Sequence, residues 1–94
     1  MARRYRLRIW LPDRPGALGL VASRIGAVGG DIEAVDILDR ADGRAVDEFI
    51  VELPGEQLVE LLRNEIHEVD GAAVEEISPA DPVETSAASD DPKA

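Results

Sequence analysis

The stretch "YRLRIWLPDRPGALGLVASRI", residues 5–25, changes its apolar period partway along. Tyr5, Leu7, Ile9 and Leu11 alternate with Arg6, Arg8 and Trp10, the period of two expected of a strand with one buried face. Beyond the junction the apolar positions are Leu18, Val21, Ala22, Ile25 and Val28, the spacing of one helical face. "PDRPG" separates the two patterns. Asp13 is placed to cap the helix, with Arg14 as its first residue and Pro15 next, where a missing amide costs nothing. A strand that runs straight into a helix in this way opens a β-α-β unit.

The rest of the chain completes the pattern. "VGGD" stops the helix, since Gly29 and Gly30 accept a positive φ. "IEAVDIL" follows as a second strand, with Val35 and Ile37 expected inward and Asp36 outward. Asp42-Gly43 lies between two strand-like runs and predicts a hairpin. The third strand, "AVDEFIVEL", sets Phe49, Val51 and Leu53 against Glu48, Ile50 and Glu52. Helical spacing returns through Leu58, Leu61, Leu62 and Ile66 after Pro54-Gly55, and "AAVEEI" is a fourth short strand. From Ser78 onward one valine, three prolines and several acids cannot offset the entropy of ordering, so residues 78–94 are expected to form a disordered acidic tail.

Residues 1–77 therefore read as one α+β domain of the ferredoxin-like βαββαβ kind, a four-stranded antiparallel sheet with both helices on one face. In that topology the first and third strands are neighbours, which places Arg6 and Arg8 near Glu48 and Glu52 on the helix-free face. Trp10 and Ile50 share that face and offer a surface for a partner.

Composition narrows the function. The chain has 94 residues, no cysteine and one histidine, so disulfides, thiolate chemistry and Cys/His metal sites are excluded. The formal net charge of −10 opposes binding to nucleic acid or anionic membranes. Residues 1–30 carry six arginines against Asp13 alone, while the remaining acids are met only by Arg40, Arg44, Arg63 and Lys93. Pairing between the basic third and the acidic remainder is the expected outcome. No apolar run approaches the ~20 residues of a membrane helix, and no apolar segment follows the N-terminal arginines as in a signal peptide. A cytoplasmic protein is expected.

Catalytic patterns are absent. Ser23 has no base in sequence reach, and His67 is placed near a helix end, facing solvent. Counting from Asp31 gives Glu33 and then Val35, so the acids of "DIEAVDILDRADG" fail the EF-hand spacing. Neither "PGALG" nor "GAVGG" is a nucleotide-binding glycine loop. No catalytic residue, metal ligand or cofactor is assigned.

Residues 11–38, "LPDRPGALGLVASRIGAVGGDIEAVDIL", together with "GRAVDEFIVEL" at 43–53, resemble the ACT domain family. The resemblance spans about residues 5–77, and "DRPGAL" ahead of a helix leading into "GGDI" is its most specific part. It implies a small regulatory domain that pairs with itself as a homodimer or higher homo-oligomer. It also implies binding of a small effector, often an amino acid, and control of a metabolic enzyme. Effectors in this family lodge between the first strand-helix loop of one copy and the start of the second strand of another. Carried onto this chain, the loop is Asp13, Arg14, Pro15, Gly16, Ala17 and Leu18, and the facing segment is Gly30, Asp31 and Ile32. Many amino-acid-binding members have asparagine near positions 13 and 31, where this chain has aspartate, which only accepts when ionised. No enzyme domain follows, so regulation is expected to act in trans. The alternative expectation is a ligand-free interaction module that docks through its exposed sheet.

Overall fold

Alternation over the first arginines and leucines becomes strand β1 (Arg3–Pro12), in which Tyr5, Leu7, Ile9 and Leu11 are all buried. The computed structural model describes residues 2–80. Helix α1 (Ala17–Ala27), strands β2 (Asp31–Ala41) and β3 (Arg44–Leu53), a 3₁₀ turn (Glu56–Leu58), helix α2 (Val59–His67) and strand β4 (Ala73–Pro79) follow. The sheet has the order β2-β3-β1-β4, with every neighbouring pair antiparallel. This is the ferredoxin-like arrangement the sequence predicts.

Helix α1 ends as a Schellman motif. Gly29 takes φ +86°, its amide donates to Gly26 O at 3.0 Å, and the Gly30 amide reaches back to Ile25 O at 3.0 Å. At Gly30 any Cβ would come within 2.7 Å of Ile25 Cγ2 and 2.9 Å of Ile25 O, so the helix end packs against bare backbone. The β2–β3 hairpin turns through Asp42 (φ 56°) and Gly43 (φ 75°), the two positive dihedrals of a type I′ turn.

One core lies between the helices and one face of the sheet. Leu7, Ile9, Phe49, Val51 and Leu53 from the strands meet Val21 and Ile25 of α1 and Leu62 and Ile66 of α2. Each such fully buried side chain contributes about 1.5–3 kcal/mol through burial. Helices α1 and α2 are joined across their surface by Arg24 and Glu65 at 3.1 Å. No helix among the described residues is long and apolar enough to cross a membrane.

Several expectations change. Val35 and Ile37 do lie on the helix side of the sheet, opposite Phe49 and Asp47, but they are 38% and 50% exposed. Strand β2 is an edge strand, and the helices leave its Val35 and Ile37 uncovered. Leu18 and Leu61 satisfy the helical period yet are exposed, because each stands on the shoulder of the buried stripe. On the helix-free face Glu48 receives both Arg6 and Arg8 at 3.6 Å, whereas Glu52 lies opposite Arg4, not beside Arg6 or Arg8. Arg4 itself holds Glu33 in a two-bond pair. His67 is exposed, as expected, and its Nε2 accepts the Val74 amide at 3.2 Å. The expected tail begins too early: Ser78 and Pro79 belong to β4, and the Ala80 amide donates to Arg4 O at 2.9 Å. The rest of that tail lies outside the described residues.

Candidate functional site

The loop between β1 and α1 is built around a type II turn rather than a side-chain cap. Ala17 N donates to Arg14 O at 3.3 Å, and Gly16 adopts φ 87°, ψ −16° at the third turn position. Pro15 fits the second position, and its ring disfavours the helical conformation at Arg14. The helix consequently begins at Ala17, with Gly16 as its N-cap residue and no side chain capping it. The Asp13 cap is therefore not formed. Asp13 is instead tied by its amide to Gly43 O at 2.8 Å, which fastens the loop to the β2–β3 hairpin.

Fastening the loop to the hairpin leaves an open cleft of about 150 Å³. Asp13, Arg14, Ala17 and Leu18 form one wall, with Ile37 and Arg40 of β2 opposite and Ala45 and Asp47 of β3 beneath. Pro15 and Gly16 are exposed in the loop itself, and a Cβ on Gly16 would meet no atom within 4 Å. Gly16 is required by its dihedral, not by crowding. Its amide-rich neighbourhood at the start of α1 favours negative charge.

Three of the lining residues, Ile37, Arg40 and Asp47, are not among the site residues expected from the sequence. The strand register explains their convergence: Ile37 lies opposite Asp47 and Arg40 opposite Ala45, all on the helix side of the sheet. Asp47 is 3% exposed, and its Oδ1 has no hydrogen-bond partner. Burial pushes its carboxyl above the ordinary range; Arg40 opposes that shift and Asp13 adds to it. A signal for Asp47 existed in the sequence. Counting back by two from Phe49 puts residue 47 on the core face of its strand.

The other predicted segment lies elsewhere in the chain. Strand β2 runs from Asp31 to Ala41, about 30 Å at ~3.3 Å per residue, so Gly30, Asp31 and Ile32 occupy the end of the sheet away from the loop. Within one copy the two predicted halves do not meet. Gly30 serves the close approach to Ile25, and half-buried Ile32 packs on the core. Exposed Asp31 lies opposite Glu52, and with Glu33 these carboxylates gather within 4.8 Å of one another. Arg4 already neutralises Glu33 and holds its carboxyl below the ordinary range.

Trp10 is less available than its place on the helix-free face suggests. Its Nε1 donates to Glu75 at 3.1 Å, and the Arg44 guanidinium sits 4.7 Å above its ring centroid. Among the described residues the large exposed apolar side chains are Leu18, Leu20 and Leu61 on the helices and Val35, Ile37 and Leu38 on β2.

No family model matches the sequence, and no curated protein does. Solved structures share the fold. An ACT domain protein from Streptococcus pneumoniae aligns with a TM-score of 0.65 at 19% identity, over 93% of this chain and 100% of that one. The ACT domain of a GTP pyrophosphokinase from Chlorobium tepidum gives 0.63 at 15% identity, over 85% and 100%. An uncharacterized protein from Thermotoga maritima gives 0.64 at 20% identity, over 86% and 100%. The molecule is thus a ferredoxin-like α+β domain. Its fold is that of ACT domains.

Proposed function

We propose that this chain is a non-catalytic regulatory module that binds an amino acid where two copies meet and modulates a metabolic enzyme in trans in the cytoplasm. The observation that carries this reading is the cleft at the β1–α1 junction, open to solvent and lined by charges of both signs. The exposed edge of β2 supports the pairing. Antiparallel association of two β2 edges about a two-fold axis would bring the start of one strand beside the end of the other. Gly30, Asp31 and Ile32 of a second copy would then approach the hairpin that walls this cleft, uniting the two segments that lie apart in one copy. The same association would cover Val35 and Ile37.

An effector held between copies acts by favouring the associated state over the separate one. The test is thermal unfolding with each of the twenty protein amino acids at millimolar concentration, with light scattering on the same samples. At least one amino acid is expected to raise Tm, since a ligand that binds only the folded chain stabilises it. No shift with any of them overturns the reading.

A further inference from the structure

The Asp47 carboxylate is poorly satisfied by the fold. It occupies a core-facing position of β3 in line with Phe49, Val51 and Leu53, is 3% exposed, and receives no hydrogen bond at Oδ1. An unpaired buried carboxylate opposes folding, and an aliphatic side chain at the same position would not. The charge lies at the floor of the cleft, below Asp13 and Arg14 of the loop and Arg40 of β2. Those four groups sum to zero, two acids and two bases, with an acid deepest.

We propose that Asp47, on the floor of the cleft, receives the ammonium of the bound ligand and so fixes its orientation. The proposal rests on the reading of this cleft as the effector site and adds to it the ligand's orientation. An ammonium at the cleft floor supplies a donor to this carboxylate, whose Oδ1 accepts none from the protein, and the positive charge that offsets its burial. The ligand carboxylate then faces outward to Arg14 and Arg40, near the start of α1. Leu18 and Ile37 flank the remaining space and suit an apolar side chain. A ligand with its nitrogen acylated has neither the charge nor the three donors, and brings bulk to the buried end.

The experiment is calorimetric titration of the wild type and Asp47→Asn with the twenty amino acids, their N-acetyl derivatives and their decarboxylated amines. The expected result is binding of one or more parent amino acids by the wild type and no detectable binding of the matching N-acetyl derivatives. The amines should bind more weakly than the parents. Asp47→Asn should bind the parents about ten- to a hundredfold more weakly, as for loss of a charged hydrogen bond. Its ligand-free Tm should equal or exceed that of the wild type, which a structural role for Asp47 would not allow. Equal binding by Asp47→Asn, or equal binding of the N-acetyl derivatives by the wild type, overturns this inference while leaving the effector reading intact. A lower ligand-free Tm for the variant also overturns it. If no parent amino acid binds the wild type, the effector reading falls and this inference with it.

Discussion

Asp47 concentrates at one residue the tension between folding and function. Burial holds its proton more tightly in the folded chain than in the unfolded one. Below the ordinary carboxylate range both states are protonated, and the group is neutral for stability. As pH rises from about 4, the unfolded chain loses its proton first, so stability falls until the folded carboxyl has also ionised. The Tm advantage of Asp47→Asn over the wild type should therefore be smallest near pH ~4 and grow toward neutrality. A pair of parallel melting curves across that range would refute it. The same residue marks how far the sequence could be read. Its face was legible from the alternation around Phe49, but its lack of a donor depends on what Arg14 and Arg40 do in three dimensions. Asp13 gives the opposite lesson. The capping pattern was present, yet Pro15 disfavours a helical Arg14, the helix starts later, and the carboxylate is left at the cleft wall.

Among the elements, β2 departs most from expectation. Periodicity reported the face on which Val35 and Ile37 lie, and it reported that correctly. What covers that face is a property of helix placement, which no local pattern encodes. As an edge strand of the order β2-β3-β1-β4, β2 presents unpaired backbone groups along eleven residues, together with half-exposed apolar side chains. The strand also carries Asp31, Glu33, Asp36 and Asp39, and like charges facing one another across a two-fold seam weaken pairing. Self-association through this edge should therefore strengthen as salt screens those acids. Val35→Lys should leave the fold intact, since residue 35 is already 38% exposed, while shifting the light-scattering mass toward the single chain. An unchanged mass for that variant would exclude β2 as the seam.

At the scale of the whole molecule the two faces of the sheet hold it unequally. The helix side carries the core, from Leu7 and Ile9 through Phe49 to Leu62 and Ile66. On the helix-free side Arg4, Arg6 and Arg8 are interleaved with Glu33 and Glu48, so the basic third of the sequence is indeed met by the acidic remainder. The charge balance was legible because alternation assigns Arg4, Arg6 and Arg8 of β1 to one face. The individual partners depended on register, which moved Glu52 opposite Arg4. These ion pairs are partly exposed, with the Arg6 side chain at 48% and Glu48 at 21%, and each contributes at most about 1 kcal/mol. Phe49 is fully buried at the centre of the core, and removing its ring leaves a cavity that costs about 3–5 kcal/mol. Denaturant unfolding should therefore separate two variants one residue apart in the chain. Phe49→Ala should lose most of the stability of a domain this small, whereas Glu48→Gln should lose no more than about 2 kcal/mol even though it disconnects two arginines. Comparable losses in the two variants would mean that the charged lattice, and not the one-sided core, holds the sheet together.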